Sequence, residues 1–254
     1  MISSGESRKE TIMDTIKISA EKKPLMIAHR GCSGLELENT NAAFVAAGNR
    51  SYFGIETDVH KTIDGKYVVF HDDTTGRLAI DDLAMKASTY DTLRRLTLLN
   101  KYTDKKDRSD LVISDLFEYL CICKHYEKKA VVELNTSFTE QDMDEICEII
   151  EEIDYLDQAI IISFNLDQLI YLRRKYPNQP LQFLTGARMH VDWLNMLKEH
   201  HIDLDISHKA LTKELVDLCH ANGIKVNVWT LDDKERAELL ATWGVDMITS
   251  NVLE

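Results

Sequence analysis

Short apolar runs alternate with amphipathic segments along most of the chain. Beyond residue 129, each short apolar run predicts a buried strand, and each longer segment with apolar residues three or four apart predicts a helix. The predicted strands cover 130–134, 160–164, 181–184, 204–206, 225–229 and 245–249. The predicted helices cover 139–153, 166–176, 189–200, 212–222 and 234–243, and Gly223 and Gly244 follow the last two.

The first half of the chain adds two strands and a hairpin. A buried strand over 25–28 precedes a helix over 39–50, for which Asn39 or Thr40 is the expected N-cap. Residues 54–73 have the pattern of a β-hairpin, with Asp64-Gly65 in the turn and the return arm over 67–70.

Residues 74–108 show no strong strand pattern. A capping box at Ser88 predicts a short helix through Leu96, the charged run 101–108 predicts a solvated loop, and Ser114 is the expected cap of a helix to Tyr126. This stretch therefore separates the hairpin from the regular alternation that follows.

The strand count predicts the topology. The return arm of the hairpin must pair antiparallel, because a tight turn is too short for the crossover that a parallel neighbour requires. Eight strands remain, near residues 25, 54, 130, 159, 181, 204, 225 and 245. We therefore expect an α/β fold, a (β/α)8 TIM barrel with a small antiparallel hairpin excursion after the second strand. Residues 24–254 form one domain in this interpretation, and residues 1–23 form a tail or cap with Ile12, Ile16 and Ile18 as its anchors.

Composition narrows the class of protein. The formal net charge of −13 argues against nucleic acid or an anionic membrane surface as a partner. Five cysteines make a disulfide framework improbable, and Cys121 and Cys123 are expected to pack in the core. With no transmembrane-length apolar segment and no signal-like N-terminus, a reducing cytoplasm is the default location.

The informative polar residues collect where strands end, which is where a TIM barrel carries its active site. Glu56 and Asp58 lie two apart on one strand, so their carboxylates share a face and repel each other unless a cation or hydrogen-bond donors compensate them. His71 ends the return arm of the same hairpin, close to that acidic pair. Acids, a histidine and a compensating cation in one hairpin point to phosphate chemistry. The other polar or aromatic residues at strand ends are His29, Glu133, Ser163 and Trp229.

Several short motifs in order and register resemble the glycerophosphodiester phosphodiesterase family of TIM-barrel phosphodiesterases. The resemblance runs over nearly the whole chain from Leu25 onward. The motifs are Ala28-His-Arg-Gly31, Glu38-Asn-Thr40, Ile55-Glu-Thr-Asp-Val59, Thr62-Ile-Asp-Gly65, Val69-Phe-His-Asp72, Val132-Glu-Leu134, Ser163-Phe164, Val228-Trp-Thr230 and Gly244-Val-Asp246.

The resemblance implies an enzyme that hydrolyses glycerophosphodiesters to glycerol 3-phosphate and an alcohol. It implies a divalent metal on Glu56, Asp58 and Glu133, and the oxygen ligands suit Mg²⁺ or Ca²⁺ better than Zn²⁺. It also implies His29 as general base and His71 as general acid. Two alternatives stay open, a cyclising phosphodiester lyase and a catalytically weak phosphodiester-binding protein.

The remaining expectations concern residues around that centre. Arg30 is expected to contact the phosphate, and Trp229 to form a wall over the substrate. Glu38 is expected to hold the first loop through backbone N–H groups, and His60 lies on the acidic face of its strand.

One position departs from the family pattern in a way that bears on catalysis. The strand that carries Glu133 usually ends Glu-x-Lys in this family, whereas here Asn135 stands in place of the lysine. An amide can donate a hydrogen bond to phosphate but carries no charge. Asn135 is therefore the expected substrate contact at that point, and Arg188 or Lys209 is the candidate to replace the missing cation.

Overall fold

Nine strands of the computed structural model, which describes residues 14–254, form one sheet that closes on itself. The order around the sheet is β1-β9-β8-β7-β6-β5-β4-β2, a β1–β2 pairing closes the ring, and β3 pairs with β2 and with no other of the described strands. The strands are β1 Leu25–Ala28, β2 Gly54–Lys61, β3 Tyr67–Val69, β4 Lys129–Leu134, β5 Ala159–Ser163, β6 Leu181–Thr185, β7 Asp203–Ser207, β8 Val226–Trp229 and β9 Met247–Ser250. All pairings in the ring are parallel.

Helices follow most of the strands and cover the outside of the ring. They are α1 Asn41–Gly48, α2 Tyr90–Arg94, α3 Leu116–His125, α4 Glu140–Glu152, α5 Leu166–Lys175, α6 Val191–Glu199, α7 Lys213–Ala221 and α8 Lys234–Trp243. Single 3₁₀ turns occur at Met85–Ala87 and Leu156–Gln158. The predicted (β/α)8 barrel is confirmed.

The hairpin excursion is also confirmed. β2 is longer than its neighbours, and its last residues pair antiparallel with β3, Val59 opposite Val69 and Lys61 opposite Tyr67. Gly65 adopts a φ of 75° in the turn, a backbone conformation that a residue without a Cβ tolerates best. The hairpin therefore carries the end of β2 beyond the barrel wall.

Three groups of buried apolar residues stabilise this arrangement. The largest lies between the ring and its helices and includes Phe44, Tyr119 and Leu172. The smallest is built by residues of the ring strands, among them Ile27, Val131 and Ile162. A separate cluster beneath the hairpin packs Val68 and Phe70 against residues of the 74–115 stretch. Its other buried members are Leu37, Leu78, Ala79, Met85, Leu93, Leu96, Leu98, Leu111 and Ile113. The excursion thus has a small core of its own.

The N-terminal segment that the structure describes lies along the end of the chain. Ile16 donates its N–H to the carbonyl of Val252 and Ile18 donates to that of Glu254. Ile18 is buried, whereas Ile16 is partly exposed. The third expected anchor, Ile12, lies outside the described residues.

Two predicted helix caps are wrong by one residue. Asp115, not Ser114, caps α3: its side chain accepts from the N–H of Glu118, whose own carboxylate accepts from the N–H of Asp115. The Ser114 side chain points into the protein and is fully buried. Likewise Thr89, not Ser88, caps α2. In both cases the capping residue is the more exposed of the two: Asp115 is half-buried beside the buried Ser114, and Thr89 is exposed beside the half-buried Ser88.

The cysteines are all free within the described residues, but their packing differs from the expectation at one position. Cys123 is buried in the core whereas Cys121 is exposed on the outer side of α3. Among residues 14–254, no helix combines the length and apolarity required to cross a membrane.

The capping difference is testable through stability. Asp115→Ala should lower the free energy of unfolding by about 1–2 kcal/mol, because it removes the cap and the acceptor for the Tyr90 hydroxyl. Ser114→Ala should change it by less than about 0.5 kcal/mol, because the Ser114 hydroxyl has no hydrogen-bond partner among the described residues. Urea unfolding followed by circular dichroism measures both. A larger loss for Ser114→Ala than for Asp115→Ala would contradict the assignment.

Candidate active site

A pocket of about 100 Å³ opens at the carboxyl ends of the barrel strands. Its lining is His29, Arg30, Glu56, Asp58, His71, Glu133, Ile162, Phe164, Leu184, Asp205, Trp229, Thr230 and Thr249. A larger cavity of about 470 Å³ lies at the opposite end of the barrel, lined by the first residues of several strands. No histidine lines it, and its two acids are Asp203 and Asp246. The chemistry therefore belongs to the smaller pocket.

Three carboxylates converge in this pocket. Asp58 on β2 lies directly opposite Glu133 on β4 in the strand pairing, and Glu56 lies two residues before Asp58 on the same face. One oxygen from each carboxylate lies within 4.8 Å of the others. Burial and the charges of Asp58 and Glu133 raise the pKa of Glu56 well above its ordinary value. Burial and Asp58 likewise raise the pKa of Glu133.

The same carboxylates fit a hard divalent cation. Glu56 Oε1 is buried and accepts no hydrogen bond from the described residues. All three side chains offer oxygen ligands, which Mg²⁺ and Ca²⁺ prefer. A cation there would meet an acceptor without a partner and would relieve the mutual repulsion that raises the carboxyl pKa values.

Arg30 follows β1 and wraps around the acidic cluster. Its φ of 54° turns the backbone so that its N–H donates to Glu56 Oε2 at 2.8 Å. Its guanidinium donates to Glu38 Oε1 at 2.7 Å, and its Nε lies 3.4 Å from Asp58 Oδ2. The next residue, Gly31, has a φ of 77°, and a Cβ there would lie 2.7 Å from the carbonyl carbon of Ala43. The sharp turn therefore depends on glycine.

Glu38 holds two loops together, but not through the backbone N–H groups expected from the sequence. Its carboxylate accepts from the side chains of Arg30 and Arg77. Burial opposes ionisation of Glu38, yet the hydrogen bonds from Arg77 and the charge of Arg30 outweigh it and lower its pKa to about 2. Arg77 comes from the excursion after β3, so its role could not be read from the local sequence.

His29 lies at the end of β1 with its two ring nitrogens in different environments. Nδ1 lies 2.8 Å from Asn251 Oδ1, and Asn251 Nδ2 donates to Asp232 Oδ2 at 2.6 Å. Because the Asn251 oxygen can only accept, Nδ1 of His29 must carry a proton. Nε2, which lies 4.0 Å from Glu56, keeps its lone pair. Burial and the charge of Arg30 lower the pKa of His29, so the neutral form is favoured.

His71 ends the return arm of the hairpin and is more exposed than His29. Its Nδ1 lies 2.6 Å from Asp72 Oδ1, and Asp72 also accepts from Arg77. Burial opposes ionisation of Asp72, but hydrogen bonds from Arg77 and His71 lower its pKa to about 2. His60 does not line the pocket, and its Nε2 lies 3.4 Å from the backbone oxygen of His71.

The opposite side of the pocket is apolar. The ring of Trp229 packs edge-on against Phe164 with the centroids 5.6 Å apart, and its Nε1 donates to the backbone oxygen of Asp205. Ile162 and Leu184 continue this surface. The pocket thus has a charged side on β1, β2 and β4 and an apolar side on β5, β6 and β8.

Three predicted residues lie outside the lining. Asn135 follows β4, and its Oδ1 accepts from the N–H of Ser137 at 3.0 Å and from its hydroxyl at 2.7 Å. Arg188 and Lys209 are exposed and do not line the pocket. The structure therefore brings His29, Arg30, Glu56, Asp58, His71, Glu133 and Trp229 together, and leaves Asn135, Arg188 and Lys209 outside that group.

Comparison with known proteins decides the family. The model of the glycerophosphoryl diester phosphodiesterase family matches residues 29–254. The chain belongs to that family. Its members are phosphoric diester hydrolases, and the expectation of such an enzyme is confirmed.

Individual relatives agree with this assignment. A glycerophosphodiester phosphodiesterase of Caldanaerobacter subterraneus is 30% identical over 90% of this chain and 94% of that protein. A phosphodiesterase of Oleispira antarctica, solved with the product sn-glycerol-3-phosphate, has a TM-score of 0.82 at 25% identity and covers 91% of this chain and 94% of that chain. A glycerophosphodiester phosphodiesterase of Parabacteroides distasonis has a TM-score of 0.73 at 25% identity, covering 94% of both chains.

Sequence reasoning missed several polar residues of this phosphodiesterase site. Asn251 and Asp232 position His29, and Asn39 donates to Asp58 Oδ2 at 2.8 Å. Asp205 is fully buried in the barrel, and burial raises its pKa to about 8. The sequence contained indications of two of these residues. Asn251 follows the last predicted strand, and Asp205 interrupts an otherwise apolar strand.

The contact between Asn251 and His29 predicts a specific loss of activity. Asn251→Leu should lower kcat on the order of 10²-fold with little change in KM, because His29 loses the acceptor that fixes its tautomer. In ¹⁵N NMR spectra, His29 of the wild type should carry its proton on Nδ1. The control Asn49→Leu, at the other end of the barrel, should leave both unchanged. An unchanged kcat in Asn251→Leu, or a proton on Nε2 in the wild type, would contradict the assignment.

Proposed function

We propose that this protein hydrolyses glycerophosphodiesters to glycerol 3-phosphate and an alcohol, with residues 24–254 as one catalytic domain and residues 1–23 as a tail or cap. The observation that carries the proposal is the convergence of His29, His71 and three carboxylates in one pocket of a chain of this family. The product seen in the Oleispira antarctica relative supports the choice of substrate class.

Glu56, Asp58 and Glu133 would hold one divalent cation, Mg²⁺ or Ca²⁺. Such a cation supplies Lewis-acid stabilisation for a phosphoryl oxygen. Arg30 assists from the same side: its Nε is buried and makes no hydrogen bond within the described residues, so it can serve a phosphate oxygen. The protein's own contribution is thus to fix the phosphate on the charged side of the pocket.

His29 acts as the general base. Its Nε2 keeps a lone pair and faces the acidic cluster, so it can take the proton of the attacking group. Glu56, 4.0 Å away, then stabilises the imidazolium that forms. Asn251 prevents the ring from turning its protonated nitrogen toward the pocket.

His71 acts as the general acid. Asp72 accepts its Nδ1–H, which directs Nε2 as the nitrogen that gives a proton to the leaving alcohol. Its greater exposure matches this role, since the leaving alcohol must depart into solvent. Trp229 and Phe164 cover the organic part of the substrate from the apolar side.

Phosphorus NMR of the products separates hydrolysis from cyclisation. Hydrolysis of glycerophosphocholine yields the phosphomonoester signal of glycerol 3-phosphate from the start of the reaction. A cyclic phosphodiester as the final product would identify a lyase instead. Absence of turnover, with tight binding of the diester, would identify a binding protein.

Metal removal tests the carboxylate assignment. EDTA should abolish hydrolysis, and Mg²⁺ or Ca²⁺ should restore it, because the three acids repel each other without a cation. Calorimetric titration with the metal alone should show weaker binding for Asp58→Asn and Glu133→Gln, whereas the surface control Asp217→Asn should bind as the wild type does. Full activity in the metal-free protein would overturn the assignment.

Leaving-group dependence tests the histidine roles. His29→Ala and His71→Ala should each lower kcat by about 10²–10⁴-fold without unfolding the protein, while the control His125→Ala, outside the pocket, has no effect. An activated aryl phosphodiester should restore much of the rate in His71→Ala, because its leaving group needs no proton. Equal losses on both substrates would show that His71 is not the acid.

A further inference from the structure

Positive charge is scarce in the pocket. Its lining contains four acids, Glu56, Asp58, Glu133 and Asp205, but Arg30 is its only arginine or lysine. The charge of Arg30 is partly compensated by Glu38 and Asp58, even though its Nε–H makes no hydrogen bond within the described residues. A phosphodiester that enters this pocket therefore needs more compensation than the lining provides.

A lysine of the excursion is held next to the segment that follows β4. The 3₁₀ turn Met85–Ala87 is tied to the residues that follow His71, because the N–H of Met85 donates to the backbone oxygen of Asp73 at 2.9 Å. Met85 itself is fully buried in the small core under the hairpin. This anchoring places the next side chain, Lys86, between the hairpin and the end of β4.

The ammonium of Lys86 reaches the segment that departs from the family pattern. Its Nζ donates to Ser137 Oγ at 2.8 Å, and Ser137 in turn donates to Asn135 Oδ1 at 2.7 Å. Asn135 lies two residues beyond Glu133, which is about 7 Å along an extended chain. The partner of Lys86 is thus a neutral hydroxyl, four residues beyond Glu133 in the chain.

The charge of Lys86 is not neutralised where it lies. Within residues 14–254, no carboxylate oxygen comes within 4.0 Å of its Nζ. A flexible side chain with an uncompensated ammonium can exchange one neutral partner for a phosphate oxygen.

We propose that Lys86 is a phosphate-binding residue of this active site and supplies the positive charge that the neutral Asn135 does not carry. In the free protein, Ser137 accepts a hydrogen bond from the ammonium, and Asn135 accepts one from Ser137. When a phosphoryl group enters, the ammonium exchanges the hydroxyl of Ser137 for a phosphate oxygen. This inference rests on the proposed phosphodiesterase function. It replaces Arg188 and Lys209 as candidates, because Lys86 alone of the three has a recorded contact with the Asn135 segment.

Four variants of the full chain test the proposal: Lys86→Met, Lys86→Arg, Asn135→Lys and the double variant. Calorimetry with sn-glycerol 3-phosphate in the presence of Mg²⁺ gives Kd, and glycerophosphocholine turnover gives kcat/KM. Lys86→Met should raise Kd and lower kcat/KM, each by about 10- to 100-fold, because a charge-assisted hydrogen bond to the phosphate is lost. Lys86→Arg should stay within about threefold of the wild type. Asn135→Lys alone should not improve either value, because it crowds a like charge.

The double variant Lys86→Met/Asn135→Lys is the decisive arm. It should recover most of what Lys86→Met loses, because the charge returns at the end of β4. The control Lys66→Met, in the hairpin turn, should behave as the wild type. Wild-type Kd and kcat/KM in Lys86→Met would overturn the proposal, and so would a double variant as weak as Lys86→Met.

Two further arms separate other causes. Ser137→Ala should weaken binding of sn-glycerol 3-phosphate by no more than about threefold, because the ammonium of Lys86 remains. A loss equal to that of Lys86→Met would mean that the hydrogen bond between Lys86 and Ser137 matters and the charge of Lys86 does not. That result would overturn the proposal. A wild type that binds sn-glycerol 3-phosphate through Lys86 but turns over no glycerophosphodiester would sink the proposed function and leave the Lys86 assignment standing.

Discussion

The mutual repulsion of Glu56, Asp58 and Glu133 is the constraint on which the rest of the site depends. Two unit charges about 4 Å apart repel by about 4 kcal/mol at an effective dielectric constant near 20. The fold brings the three carboxylates within 4.8 Å because β2 and β4 are neighbours in register. Arg30 and Asn39 offset part of this cost, and one oxygen of Glu56 has no hydrogen-bond partner among residues 14–254. The negative charge that stays uncompensated is of the size that a divalent cation neutralises.

A continuous series of ion pairs connects the loops that carry the two histidines. Arg30 binds Glu38, Glu38 binds Arg77, and Arg77 binds Asp72. Arg30 directly follows His29 and Asp72 directly follows His71 in the chain. Individual pairs at this degree of exposure contribute little to stability. Their importance is geometric, because together they set the spacing between His29 and His71 across the acidic cluster.

The barrel strands separate charged from apolar side chains around the pocket. The charged side is built by β1, β2 and β4, and the apolar side by β5, β6 and β8, with Trp229 and Phe164 in edge-on contact. The two sides match the charged group and the organic part of the proposed phosphodiester substrate. The excursion adds the last part of the wall, and its separate core under the hairpin keeps it in place without disturbing the ring.

The local sequence pattern determined the secondary structure and part of the candidate site. These features depend only on neighbouring residues: the periods of the strands and helices, the Asp64-Gly65 turn, and the shared face of Glu56 and Asp58. The barrel followed from the strand count, and the family from motifs in order. Contacts between distant segments could not be predicted: Asn251 lies 222 residues from His29, and Ser137 lies 51 residues from Lys86. The cap of α3 was misplaced for the same reason, since burial of Ser114 is a tertiary property. Only closure of the ring and packing of the excursion decide which side chains meet, because no periodicity records the position of a segment that is remote in the chain.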